Sequence, residues 1–214
     1  LFTIAAVDKL LNADAGGNAV KEKRIGVILS GGLSRRFGHP KAFFHYQGKP
    51  MYQWALEAVR PHADEVVIIS HPTLTERFKA ETDLPIYEDV EPFQGLGPLA
   101  GIYTAMKKAE GAWYLITPCD TPFSTSALYS FLWEKCYSSE KDGVVPVRSG
   151  KPEMLLAIYS RRLMPLLETL LSDGALKVSN ILEKAEIEIA QVDGLFSEKT
   201  FANINTPNDL NANG

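Results

Sequence analysis

Short aliphatic runs recur along the chain, each stopped by glycine, proline or a polar residue, and stretches with apolar positions at helical spacing separate them. Residues 25–29 are the first such run and end in Ser30-Gly31-Gly32, which a strand interior tolerates poorly. Residues 50–60 carry Met51, Trp54, Ala55, Ala58 and Val59 at helical spacing, with Pro50 suited to the first helical position and Pro61 as a stop. Residues 66–69 predict a second strand, broken by Ser70-His71-Pro72, and residues 85–87 a third, followed by a loop rich in glycine and proline over 88–98. A helix is predicted over 99–108, with Leu99, Ile102, Tyr103 and Met106 on one face, then a buried strand over 113–116 stopped by Thr117-Pro118. Beyond it the pattern predicts a helix over 126–136, strands over 143–147 and 155–159, a helix over 161–171, an edge-like strand over 187–192 and a last short strand over 201–204.

Strands alternating with helices imply an α/β fold with a mostly parallel sheet covered on both faces. In open sheets of this kind ligands bind beyond the carboxyl ends of the strands. Four predicted strand ends carry unusual polar or glycine content: Ser30-Gly31-Gly32, Glu88-Asp89, Pro118-Cys119-Asp120 and the pair Asn203 and Asn205.

Composition adds limits. The 214 residues suit one domain, and 45% hydrophobic with 22% charged residues is ordinary globular material. We expect a single domain over 24–214 preceded by a flexible extension over 1–23, where an apolar start is interrupted by Asp8 and Lys9 and followed by a stretch rich in Asn, Ala and Gly. The net charge of -4 argues against bulk nucleic-acid binding, although a locally basic site remains compatible with it. Two cysteines, Cys119 and Cys136, make neither a disulfide framework nor a zinc site, so a reducing, cytoplasmic setting is expected. No apolar run is long enough to cross a bilayer, and the four histidines show no metal-ligand spacing.

The densest chemistry lies in residues 29–41, Leu-Ser-Gly-Gly-Leu-Ser-Arg-Arg-Phe-Gly-His-Pro-Lys. Two glycines at a strand end let backbone N–H groups approach phosphate oxygens, and Arg35, Arg36 and Lys41 make this stretch of an acidic protein basic. A plain glycine turn with solvated arginines is the alternative reading. Asp120, directly after a buried strand, is placed to hold Mg²⁺ or to cap a helix. Asp89 and Glu88 precede glycines at 95, 97 and 101, which permit close approach to a base, or are ordinary loop carboxylates. Alternation along a strand puts Asn203 and Asn205 on one face, where amides can meet a substrate or simply form a turn. Arg148 and Lys151 are a basic pair that suits an anionic ligand or solvent equally.

Residues 29–41 match neither the P-loop nor the dinucleotide fingerprint. They resemble the L-[AS]-G-G-x-S-x-R-[MF]-G-x-[DX]-K string of molybdenum cofactor guanylyltransferases, the molybdopterin-guanine dinucleotide biosynthesis protein A family. Cys119-Asp120-Thr121-Pro122-Phe123, Asp89 ahead of Gly97-Pro98-Leu99-Ala100-Gly101, and Asn203-Ile204-Asn205-Thr206-Pro207-Asn208-Asp209-Leu210 continue the resemblance in family order across residues 24–210. Pro40 departs from it, standing where the family usually has aspartate.

The resemblance implies a Rossmann-like three-layer nucleotidyltransferase fold and transfer of GMP from GTP to the terminal phosphate of molybdopterin. It also implies roles. Leu29, Ser30, Gly31 and Gly32 would touch guanine and sugar, and Asp89 the nucleotide. Arg36 and Lys41 would hold the triphosphate, Asp120 would bind Mg²⁺, and Asn203 and Asn205 would meet the metal-phosphate centre or the pterin. GTP and the molybdopterin cofactor are the implied partners, with molybdenum cofactor insertion or carrier proteins as further candidates and neither nucleic acid nor membrane. Alternatives are a cytidylyl or sugar-phosphate nucleotidylyltransferase of the same fold, or a GTP-binding regulator without catalysis.

Overall fold

The computed structural model describes residues 22–32, 37–38, 40–206 and 208–209. Arg36, and with it residues 33–35 and His39, lies outside them. Among the described residues the strands are β1 (Arg24–Ser30), β2 (His45–Tyr46), β3 (Lys49–Pro50), β4 (Glu65–Ser70), β5 (Ile86–Tyr87), β6 (Trp113–Pro118), β7 (Gly143–Arg148), β8 (Lys151–Pro152), β9 (Ile158–Ser160) and β10 (Ile187–Gln191). The α-helices among them are α1 (Met51–Val59), α2 (Thr75–Glu81), α3 (Pro98–Lys108), α4 (Ser126–Tyr137), α5 (Met164–Ser172) and α6 (Ile181–Lys184).

The main sheet runs β10-β7-β9-β6-β1-β4-β5, with β8 paired to β7. Strands β5, β4, β1 and β6 are mutually parallel, whereas β9 runs antiparallel between β6 and β7. The expected α/β sheet is therefore mixed but mostly parallel. Alternation along β1 sends Ile25 and Val27 to one face, packed with Leu99, Ile102 and Met106 of α3 and Leu167 and Leu170 of α5. Ile28 faces the other side, with Tyr52, Ala55 and Val59 of α1 and Leu128, Tyr129 and Leu132 of α4. Burying both faces is what the unbroken aliphatic character of β1, β4 and β6 requires. No helix among the described residues is long and apolar enough to cross a membrane.

Local differences from the expected elements have specific causes. The strand expected over 155–159 shortens to Ile158–Ser160 because Glu153 N–H bonds Pro146 O and Leu156 N–H bonds Glu153 O, folding the preceding residues into a turn. The strand expected over 201–204 is instead a 3₁₀ turn, Glu198–Phe201, followed by an extended arm outside the sheet. The β2–β3 hairpin was not anticipated. Its Gln47-Gly48 turn has φ of 48° and 85°, the paired left-handed geometry that suits a tight hairpin.

Candidate active site

Register brings the strand ends level. Ser30 lies opposite Ser70, Leu29 opposite Pro118 and Ile69 opposite Tyr87, so the loops after β1, β4, β5 and β6 leave one edge of the sheet together. Main-chain bonds stitch this edge: His71 N–H donates to Ser30 O at 3.0 Å and Cys119 N–H to Leu29 O at 3.1 Å. Gly31 and Gly32 are exposed, and a Cβ at either would meet no atom of the described residues within 4 Å, which leaves backbone there for a ligand to approach.

Lys41, Asp120 and Asn205 converge. Lys41 Nζ donates to Asp120 Oδ2 at 3.1 Å and to Asn205 Oδ1 at 3.0 Å, across 79 and 164 residues of sequence. The lysine and aspartate side chains are 13% and 24% exposed, so the pair is shielded yet reachable. Pro40 has a local role here. Its φ of -59° is the value its ring imposes, and its carbonyl accepts from Phe43 N–H at 3.1 Å to start the 3₁₀ turn that carries Lys41. The residue that breaks the family string thus sets the backbone from which the retained lysine projects.

An apolar cluster joins the three segments beneath this convergence. Phe37 after the glycine loop, Met51 of α1 and Ile204 are buried together, with Phe44, Tyr46 and Phe123 packed against them. Ile204 N–H donates to Asp120 O at 2.8 Å. Although 202–205 is not a strand, exposed, buried, exposed is the sequence at Asn203, Ile204 and Asn205, so both amides point outward as alternation expects. Of the two, Asn205 reaches Lys41.

Asp89 sits on the other side of β1. Its Oδ2 accepts from Gly95 N–H at 3.1 Å, and Val90 N–H donates to Thr104 Oγ1 of α3 at 3.0 Å, which holds the loop against that helix. Gly101 lets α3 pack close to this edge, since a Cβ there would stand 3.0 Å from Leu29 Cδ2 and 3.9 Å from Asp89 Oδ1. Burial raises the Asp89 carboxyl above its ordinary value, opposed by the Gly95 bond and the charge of His71. Thr104 and His71 were not singled out from sequence. Neither belongs to a recognisable string, and only the packing of α3 and the end of β4 reveals them.

The raised Asp89 carboxyl has a consequence for stability. A folded-state pKa above the unfolded value favours folding at low pH, an advantage lost as pH rises through the folded pKa. Asp89→Asn, which removes the charge and keeps an acceptor for Gly95, should therefore gain melting temperature over the wild type as pH moves from acid to neutral. A melting difference that stays constant with pH would contradict this.

Three further residues noted in the sequence have distinct surroundings. Arg148 is engaged internally, with its guanidinium bonded to Glu153 Oε1 at 3.1 Å, paired with Glu198 and 5.6 Å from the Phe201 ring centre. Lys151 remains exposed on β8. Cys119 carries a thiol pushed up to about 12, by burial first and by the Asp120 charge second, so it is a packed neutral group beside the site.

The MobA-like NTP transferase domain matches residues 26–188. The chain belongs to that family. A probable molybdenum cofactor guanylyltransferase of Bacillus licheniformis is 44% identical over 189 residues, 88% of this chain and 95% of the relative. One from Bacillus subtilis is 40% identical over 88% of this chain and 93% of its own length. The crystal structure of molybdopterin-guanine dinucleotide biosynthesis protein A from Archaeoglobus fulgidus superposes with a TM-score of 0.76 at 26% identity, covering 88% of this chain and 96% of that one. For a MobA-like NTP transferase the open Gly31-Gly32 edge and the Lys41–Asp120 pair lie at the strand ends where such sheets take ligands.

Proposed function

We propose that this nucleotidyltransferase moves GMP from GTP to the terminal phosphate of the molybdopterin cofactor, releasing pyrophosphate. The observation that carries the reading is the convergence of Lys41, Asp120 and Asn205 beside open glycine backbone, in a chain whose relatives over most of its length are named guanylyltransferases. A phosphate oxygen of the pterin attacks the α-phosphorus of GTP, and the bond to the bridging oxygen of the β-phosphate breaks. A phosphate monoester is already anionic near neutral pH, so the protein needs no strong general base. Its work is positioning and charge neutralisation.

Gly31 and Gly32 present backbone to the nucleotide, Leu29 and Ser30 line its base and sugar, and Asp89 contacts it from the β5 side. Lys41 neutralises triphosphate oxygens, and Arg36 adds a second cation by family pattern. Asp120 is the residue that would hold a divalent ion. Among the described residues no three His, Cys, Asp or Glu side chains stand close enough to form a complete cage. That fits Mg²⁺, which commonly takes one or two carboxylates and fills its remaining positions with phosphate oxygens and water. When bound, the ion supplies charge neutralisation on the phosphates. GTP and the pterin are the small-molecule partners, and the reading places the work in the cytoplasm.

The deciding experiment is pyrophosphate release from GTP and from CTP, each with Mg²⁺ and molybdenum cofactor supplied. Pterin-dependent release from GTP supports the reading. Release from CTP alone would assign the cytidylyl reaction, and tight GTP binding without release would assign a regulator. Lys41→Ala should lower kcat by about a hundredfold, the scale expected for removing one charged donor at a developing negative charge. Steady-state kinetics would expose an error if kcat stayed within a few-fold of wild type.

A further inference from the structure

Lysine is a compact charge on a flexible four-carbon stem, and where its ammonium sits depends on the acceptors around it. Among the described residues those acceptors include the Asp120 carboxylate and the Asn205 amide oxygen. Asp120 cancels charge as it binds, whereas Asn205 directs the ammonium without cancelling any. The placement of Asn205 therefore bears on how much oriented positive charge Lys41 offers to a phosphate.

Asn205 lies on an arm that belongs to no sheet, so its position must be fixed by other means. One fixed point precedes it, where Ile204 is buried and its N–H bonds Asp120 O. The other follows it. Asp209 Oδ2 accepts from Asn205 N–H at 2.7 Å and from Thr206 N–H at 2.8 Å, while Asp209 N–H donates to Thr206 O at 3.1 Å. One carboxylate oxygen thus gathers two successive backbone donors at the turn, a short charge-assisted arrangement that sets the backbone of the residue whose side chain meets Lys41. These two bonds hold the Asp209 carboxyl below its ordinary range, with the Lys41 charge contributing less, so it stays ionised under working conditions.

We infer that Asp209 is a positioning residue for phosphoryl transfer: by clamping the Asn205 and Thr206 amides it aims Asn205 Oδ1 at Lys41 Nζ and so fixes the ammonium beside Asp120. The inference rests on the proposed transferase reaction. Its physical content is a chain of hydrogen bonds that runs from Asp209 through Asn205 to Lys41.

A mutant cycle tests this, with Asp209→Ala, Asn205→Ala, the double variant and Asp209→Asn compared with wild type for kcat and KM with GTP, GTP affinity by calorimetry and melting temperature. Asp209→Ala and Asn205→Ala should each lower kcat by about tenfold, a change of about 1.4 kcal/mol. The double variant should be no slower than Asn205→Ala within about twofold, because residues acting through one contact are not additive. Asp209→Asn, whose amide oxygen can still accept from the two N–H groups, should recover most of the rate, a rescue that lost folding stability alone does not predict. A double variant slowed by the product of the single effects overturns the inference, as does an Asp209→Ala protein that loses melting temperature and keeps its kcat. If Asp209→Ala fails to fold, Asn205→Ala and Asp209→Asn still decide, since a wild-type rate in the first or a loss in the second equal to that of Asn205→Ala removes a link. Should wild type itself release no pyrophosphate, the proposed reaction fails on its own, and the cycle is read from GTP affinity, where additivity again overturns the positioning role and non-additivity supports it.

Discussion

Asp120→Ala is expected to lower turnover by about a thousandfold while leaving the fold intact, the upper part of the range seen when one electrostatic contact to a developing charge is removed. The backbone around Asp120 does not depend on its carboxylate. Ile204 N–H bonds its carbonyl, Cys119 N–H bonds Leu29 O, Thr121 Oγ1 donates to Pro118 O at 3.2 Å, and the buried Tyr129 hydroxyl donates to Ile116 O at 2.7 Å below the loop. Its ion pair with Lys41 is only partly shielded from water, and pairs open to solvent contribute about 1 kcal/mol to stability. Loss of rate with little loss of melting temperature is therefore the signature of a residue kept for chemistry. Pyrophosphate release at limiting Mg²⁺, paired with thermal denaturation, gives both readings. A variant that turns over at the wild-type rate there would overturn the proposed role of Asp120 in holding the metal.

The second large effect is structural and lies away from the site. Gly143 opens β7 between β10 and β9, opposite Ile187 on one side and Tyr159 on the other. A Cβ at this position would stand 2.6 Å from Ile158 O, 3.1 Å from Tyr159 Cδ1 and 3.3 Å from Tyr159 Cα. Two of those three atoms are backbone of the neighbouring strand, which cannot retreat without opening the ladder on which β9 depends. Gly143→Ala should cost about 2–3 kcal/mol, the usual scale of overpacking. For a chain of this size that corresponds to a melting shift of roughly 4–12 °C. Turnover per folded molecule should be unchanged, because Gly143 is at the opposite end of its strand from the Asp120 edge. Calorimetry showing a wild-type melting temperature would mean that β9 can yield.

These two positions differ in how they could be found. Asp120 was legible because it belongs to a contiguous string after an aliphatic run, and a strand followed by a carboxylate is a local pattern. Gly143 carries no such mark. Its requirement comes from β9 reversing direction between β6 and β7, a pairing that depends on residues distant in sequence. The short hairpin at Gln47-Gly48, helix α2 and the turn over 153–156 were missed for a related reason, since each is held by a few contacts rather than by a long periodic run. Arg148 is the converse case. As a basic residue beside a loop it suits an anionic substrate, yet in three dimensions two glutamates and a phenylalanine ring occupy it.

The sequence by itself determined the alternation of strand and helix, the burial of the sheet on both faces and the strand ends at which Leu29 to Gly32, Asp89 and Asp120 stand. Those properties are local, set by apolar periodicity and by the residues that end each run. Only the tertiary structure decided that Asn205 meets Lys41 from 164 residues away, that Pro40 shapes the turn beneath that lysine, and that Asp209 clamps the arm carrying the amide. Contacts of that kind depend on strand order, on the shared core of Phe37, Met51 and Ile204, and on angles of approach accurate to a fraction of an ångström, which no residue pattern along a single chain encodes on its own.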